Sequence, residues 1–209
     1  MIEPLFTDRE QAGYVLSDRL ESFNGQPNVL VFGLIRGGMP VAKVIADKLH
    51  VPAYPYIVRK IGHPDKPEYG VGAIAEGGET YLDENLMRTY GLTWESLEPV
   101  IEKEMAELRR RKEIFGSRSQ PDIEGKIIIL VDDGAATGGS MLAAIGDISK
   151  AGAEKIIVAL PVAPMETMAF LRQKADDVIV LRNPMPFHSV GEWYENFPQL
   201  EDEDVLALI

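Results

Sequence analysis

The sequence predicts an α/β fold: one doubly wound, mostly parallel open sheet covered by helices on both faces, with a small hood or flap and an inserted hairpin followed by a long helix. Three observations predict it. Apolar runs at residues 28–34, 126–131 and 155–162 alternate with segments of helical spacing. The runs are continuous and rich in Val, Ile and Leu rather than alternating, as strands covered on both faces are. The first two pass directly into glycine loops, Ile35-Arg36-Gly37-Gly38 and Gly134 to Gly139, each of which opens a helix. Strand, loop and helix in repetition imply parallel pairing through right-handed crossovers.

A chain of 209 residues, 45% of them hydrophobic, can bury one core. The reading is a core over residues 1–182, with a loop at 61–69 and an insertion at 70–115, followed by a flap at 183–209. There is no cysteine, so neither a disulfide framework nor a thiolate metal site is expected. A formal net charge of -12 disfavours nucleic acid and anionic lipid as partners. The N-terminal residues lack the basic flank and apolar run of a leader, and no stretch approaches ~20 apolar residues, so the cytoplasm is the expected location.

Thr7 followed by Glu10 is a capping-box pattern, and Ala12, Val15, Leu16, Leu20 and Phe23 recur at helical spacing, so a helix should open the chain. Asn24-Gly25-Gln26-Pro27 ends it. Pro40 suits a first helical turn, and Val41, Val44, Ile45 and Leu49 give the next helix its apolar face. Residues 53–58 are expected as a second strand, leading to Arg59-Lys60. Residues 61–69 are polar, aperiodic and carry Pro64 and Pro67, which predicts an exposed, mobile loop.

Residues 70–75 and 79–82 flank Gly77-Gly78 as a short hairpin would. A long helix over 94–115 follows, with Leu97, Val100, Ile101, Met105, Leu108 and Phe115 as its apolar positions. Its cations at 109–112 are read as complementing the helix macrodipole. Residues 138–150 form a helix with Met141, Leu142, Ile145 and Ile148 on one face and Gly152 at its stop. A short strand at 177–181 precedes the flap, which is rich in proline and aromatics.

The chemistry concentrates after the run at 126–131, which delivers Asp132-Asp133 to the carboxyl edge of the sheet, where open α/β folds bind ligands. The following Gly134-Ala135-Ala136-Thr137-Gly138-Gly139-Ser140 is small throughout and opens a helix. Free N–H groups and the positive dipole end attract a phosphate there, with Thr137 and Ser140 adding hydroxyl donors. Carboxylates beside them suit a vicinal diol. Ser140 stands where a Walker motif needs lysine, no dinucleotide glycine pattern follows either strand, and three histidines lack zinc spacing.

The strand, the acid pair and Thr137-Gly138-Gly139-Ser140 together resemble the phosphoribosyl-pyrophosphate signature of type I phosphoribosyltransferases. Arg36-Gly37-Gly38 resembles that family's pyrophosphate loop, and Arg59-Lys60 resembles the basic pair of its orotate-type members. The likeness covers residues 28–195. In detail it is nearest a bacterial branch of predicted phosphoribosyltransferases marked by Arg59-Lys60-Ile61-Gly62 and Ala73-Ile74-Ala75-Glu76-Gly77-Gly78.

The resemblance implies that Ala135, Ala136, Thr137, Gly138, Gly139 and Ser140 hold the donor's 5′-phosphate and that Asp132 and Asp133 hold its ribose. Arg36, Gly37, Arg59 and Lys60 would meet pyrophosphate, with Asp132, Asp133, Arg36 and Lys60 carrying catalysis. The loop at 61–69, through His63 and Lys66, would close over the site. Mg²⁺ would be the cofactor, held mainly through the donor, with Asp132 and Asp133 reaching it through water. Ala136 matches the aspartate of hypoxanthine-type members, so a nitrogenous acceptor other than a 6-oxopurine is implied; adenine-type members also carry alanine there. Phe187, His188 and Trp193 either stack on that acceptor or anchor the flap. Members that share residues between subunits imply a homodimer. A non-catalytic sensor of the donor and a sugar-phosphate hydrolase are the competing readings.

Overall fold

A computed structural model describes residues 3–115 and 121–209. Residues 1, 2 and 116–120 lie outside that description, including the first two of the N-terminal residues read above for a leader. The chain runs α1 (Arg9–Ser17), β1 (Val29–Leu34), α2 (Gly38–Leu49), β2 (Ala53–Tyr56), β3 (Val58–His63), β4 (Lys66–Ala75), β5 (Thr80–Leu82), α3 (Glu84–Tyr90), α4 (Trp94–Phe115), β6 (Ile127–Val131), α5 (Gly139–Lys150), β7 (Lys155–Val162), α6 (Met165–Leu171), β8 (Asp177–Arg182) and α7 (Asp202–Leu206). No helix among the described residues is long and apolar enough to cross a membrane.

Five strands form a parallel sheet in the order β2-β1-β6-β7-β8. β1 and β6 lie side by side, with Gly33 opposite Val131. From β1 the chain turns outward through α2 to β2, and from β6 it turns the other way through α5 to β7. The two helices take opposite faces. Val41, Ala42, Ile45 and Leu49 of α2 pack with Val29, Val31, Ile129 and Val131. Met141, Leu142, Ile145 and Ile148 of α5 pack with Leu30, Phe32, Ile128 and Leu130. Alternate residues of fully buried strands thus serve opposite layers, which is why these strands read as unbroken apolar runs. Divergence of neighbouring connections leaves a crevice at the carboxyl ends of β1 and β6.

A second, antiparallel sheet, β3-β4-β5, sits over α5. Ala73 and Ala75 of β4 belong to the α5 layer, and their small side chains let sheet and helix approach. Ile61, Val71 and Ile74 pack with Leu97, Ile101 and Leu108 of α4, so the small sheet is held between two helices. Asp147 on α5 accepts from the Tyr56 hydroxyl at 2.6 Å and the Gly77 N–H at 2.7 Å, pinning the β4–β5 turn to the helix.

Several expectations are corrected. Residues 61–69 are a hairpin, with β3 and β4 continuing through most of the segment. Pro67 is accommodated because the pairing jumps from His63 opposite Lys66 to Gly62 opposite Gly70, leaving 67–69 unpaired as a bulge. His63 stacks edge-on against Tyr90 of α3 at 5.3 Å, which docks the hairpin tip. The run at 53–58 divides, its last residue opening β3. Asp8, in place of Thr7, caps α1 by accepting the Gln11 N–H at 2.8 Å. Arg110 and Arg111 pair with Glu107 one turn earlier and approach Asp202 of α7, so side-chain carboxylates are the partners of that cationic run. The seven-residue helices α3 and α6 are too short to show a period in the sequence.

Replacing Asp147 with alanine strands the Tyr56 hydroxyl and the Gly77 N–H, and should cost about 1–3 kcal/mol in urea denaturation. Adding Tyr56→Phe to that variant should cost little further, since the hydroxyl has then already lost its partner.

Candidate functional site

The crevice is narrow because the loop after β1 has almost no side chains on its inner side. A methyl group on Gly38 would lie 2.6 Å from the Val131 carbonyl oxygen and 2.9 Å from the Asp132 Cα. One on Gly37 would collide with Asp133 Oδ2. Both glycines are therefore required by close approach, and they set the Arg36 loop against the acid pair. The two helices that begin in these loops, α2 and α5, have no side-chain cap at their N-termini among the described residues, whereas α1 and α3 are capped by aspartates. Gly138 supplies the left-handed turn, φ 78°, that starts α5.

The acids differ in setting. Asp132 is partly open, and its Oδ1 accepts the Asp133 N–H at 2.9 Å. Asp133 is buried, with Oδ2 2.8 Å from the Arg9 Nε. Although part of the Asp132 residue surface is open, its carboxyl is enclosed by protein, and that desolvation, followed by the negative charge of Asp133, pushes it well above the ordinary carboxylate range, against the pull of the Asp133 N–H and Arg9. Burial also raises Asp133, opposed by its hydrogen bond and charge contact with Arg9. A site that holds destabilised carboxylates at a sheet edge is a candidate for a ligand that stabilises the ionised form.

Across from the loop at 137–140 stands the small sheet. A cavity of about 70 Å³ is lined by Lys60, Gly70, Tyr81, Asp83, Thr137, Gly139 and Ser140 among others, so the structure brings Lys60 beside the residues expected to bind phosphate. Lys60 is exposed and donates to the Glu68 carbonyl at 2.8 Å. Ala135 and Gly138 are buried, while Ala136 and Thr137 are exposed. The Ala136 carbonyl accepts from the Thr167 hydroxyl at 2.6 Å, which ties this loop to α6.

A much larger cavity, about 830 Å³, runs between α5, α6 and β5 and includes Thr137, Tyr81 and Asp83. Asp132, Asp133 and Arg36 do not line it. Size and chemistry therefore point to different places, and the meeting of the acid pair, the Arg36 loop and the uncapped start of α5 decides for the crevice.

Other expected residues are placed elsewhere. Arg59 turns to α4, where Glu104 accepts from its Nε at 2.8 Å. Arg36 is bound by Glu201 at 2.5 Å, with Asp202 at 4.0 Å. Lys66 is exposed on the hairpin. Trp193 is buried among Phe6, Ala12, Val162 and Tyr194, and Phe187 is half-buried with its ring 6.0 Å from that of Trp193. They anchor the flap, and His188 is exposed beyond them. No local pattern in the sequence signals Arg9, Tyr194 or Glu201, whose roles depend on contacts spanning more than a hundred residues or, for Tyr194, sixty-one. Gly134 is also explained: a methyl there would meet Val190 of the flap at 2.7 Å and Val162 at 2.8 Å.

Residues 11–191 match the family model described as the phosphoribosyl transferase domain. "Putative phosphoribosyl transferase Rv0571c" of Mycobacterium tuberculosis is 39% identical over 206 residues, which is 98% of this chain and 46% of that protein. The chain thus spans about half the length of the curated relatives it matches. An orotate phosphoribosyltransferase of Sulfolobus acidocaldarius is 39% identical over 157 residues, 75% of this chain and 54% of that one. Among solved structures, TT1426 from Thermus thermophilus superposes with a TM-score of 0.79 at 36% identity, covering 97% of this chain and 96% of the other.

Gly38→Ala should lose about 1–3 kcal/mol in denaturant titration because backbone must move, whereas Gly139→Ala, whose methyl would find nothing closer than 3.7 Å, should keep its stability. The raised Asp132 carboxyl makes ionisation costly in the folded state. That cost is present above the raised value and disappears as pH falls through it to the unfolded value. Asp132→Asn should therefore raise the thermal midpoint at about pH 8, with the gain fading near about pH 4. A gain independent of pH would contradict this assignment.

Proposed function

The chain belongs to the phosphoribosyl transferase domain family, and on that premise we propose that it transfers a phosphoribosyl group from 5-phosphoribosyl-1-pyrophosphate to a nitrogenous base, releasing pyrophosphate. The observation that carries this reading is the crevice itself, where a partly open carboxylate, the Arg36 loop and the uncapped start of α5 meet, with Lys60 across the small cavity from that helix start.

The 5′-phosphate accepts hydrogen bonds from the α5 N-terminus and from Thr137 and Ser140, and Lys60, which the sequence suggested for the pyrophosphate, supplies charge at this end instead because it shares a cavity with Thr137 and Ser140. The ribose hydroxyls donate to Asp132. The bond from C1′ to the pyrophosphate oxygen breaks with its electron pair leaving on pyrophosphate, and a base nitrogen bonds C1′ and passes its proton to the departing pyrophosphate. Negative charge grows on the departing oxygen, and Arg36 would stabilise it on exchanging its partner Glu201 for the pyrophosphate. The carboxylate of Asp132 stabilises positive charge on the sugar. The oxygens that such a site offers a hard cation are mainly those of the donor, with Asp132 as a water-mediated partner; Mg²⁺ suits that set and would offset charge on the leaving group.

The acceptor proposed is a nucleobase or its analogue. Ala136 carries no carboxylate that could take a proton from a purine ring nitrogen, which disfavours a 6-oxopurine. The name of the Sulfolobus acidocaldarius relative, an orotate enzyme, supports a base acceptor. Binding of the donor without turnover is a second reading, favoured by one observation: Arg36 and Arg59 are already matched by Glu201 and Glu104.

Incubation with the donor and Mg²⁺ while following pyrophosphate, alone and with a panel including orotate and adenine, tests the proposal. Release that depends on one base is expected. Asp132→Asn should lower kcat/KM by about 100-fold or more, and Lys60→Met by about 10-fold. Release without any base would replace the transferase with a hydrolase, and tight binding without release would leave the sensor.

A further inference from the structure

Building on the donor-site reading above, we infer that the two acids divide their work: Asp132 alone meets the donor's ribose, while Arg9 is a positioning residue that holds Asp133 inward, against the Arg36 loop and away from the ligand. The geometry around Asp133 carries this. Its Oδ2 accepts from the Arg9 Nε at 2.8 Å, both side chains being close to fully buried. The same oxygen is the atom that a methyl on Gly37 would strike, so the carboxylate rests on the backbone of the Arg36 loop. The Asp133 carbonyl accepts from the Tyr194 hydroxyl at 2.6 Å.

Arg9 is equally engaged. Its Nη1 donates to the Pro198 carbonyl at 2.9 Å, and its guanidinium lies 3.7 Å over the Phe197 ring. A buried ion pair of this kind opens only at high cost, since either partner alone would be an unmatched charge away from water. A ribose hydroxyl would have to displace the arginine to reach Asp133. Asp132 is held differently: its carboxylate accepts the Asp133 N–H, and it is the acid with open surface. A single carboxylate has two oxygens and can accept from both hydroxyls of a diol.

Because Asp133 touches Gly37, releasing it from Arg9 disturbs the loop that carries Arg36, at the pyrophosphate end of the site. The sugar-phosphate end, built from Asp132 and the start of α5, stays in place. A residue that merely stabilised the fold would not separate the two ends.

Calorimetric binding of two probes, ribose 5-phosphate and inorganic pyrophosphate with Mg²⁺, reads this difference. Asp132→Asn should weaken ribose 5-phosphate by about 10-fold or more. Asp133→Asn and Arg9→Met should leave ribose 5-phosphate within about 3-fold while weakening pyrophosphate by about 5-fold or more, and Arg9→Lys should recover part of that loss. The paired change Arg9→Met with Asp133→Asn, which leaves no unmatched charge, carries the test if a single variant does not fold. Loss of ribose 5-phosphate in the Asp133 variant as severe as in the Asp132 variant would overturn the division of labour, as would equal loss of both probes on changing Arg9. A native chain that binds neither probe would overturn the donor-site reading and this inference with it.

Discussion

The absence of side chains at Gly37 and Gly38 is the constraint on which the working end of this molecule depends. β1 and β6 are neighbours whose connections diverge, so their carboxyl ends must open a crevice. How wide it opens is set by how closely the two loops approach. With no Cβ at either glycine, the first loop rests on the Val131 carbonyl and on the Asp133 carboxylate. Asp133 can then be buried, and its burial calls for a cation, which α1 provides in Arg9. Arg9 in turn orients the flap through Pro198 and Phe197. A chain of contacts thus runs from two missing methyl groups to both ends of the described fold.

The small antiparallel sheet completes the site from the other side. Its approach to α5 depends on Ala73 and Ala75, and its register along the helix is held by Asp147 and Tyr56. Burial and the hydrogen bond to Asp147 raise the Tyr56 phenol well above its ordinary value, which favours its protonated, donating form. Docking of this sheet carries Lys60 to the start of α5, joining a cation from one substructure to the glycine loop of another.

The flap is part of the core rather than a cover over it. The Leu5 and Phe6 N–H groups donate to the Trp193 carbonyl, those of Glu195 and Asn196 donate to the carbonyls of Phe6 and Thr7, and the Trp193 and Tyr194 rings are buried. Val190 fits over Gly134, where a side chain would collide with it. Phe187 and Trp193, which the sequence offered as an acceptor platform, are engaged in this anchoring.

By itself the sequence determined the parallel sheet, the two glycine loops and the acid pair, because each is written in contiguous residues: apolar runs, small residues and paired charges whose meaning does not depend on distant neighbours. The long helix α4, the β4–β5 turn and the strand at Lys155–Val162 were legible for the same reason. Residues 61–69 were not, since Pro64 and Pro67 signal a loop locally and only the bulged pairing with β3 shows how a strand tolerates them. Tertiary structure alone decided which acid is buried and which partly open, that Arg59 belongs to α4, that Lys60 stands by the glycine loop before α5, and that Arg9 and Tyr194 hold Asp133. Those outcomes depend on the close approach of segments far apart in the chain, and the cost of burying charge selects among partners that no local pattern can name.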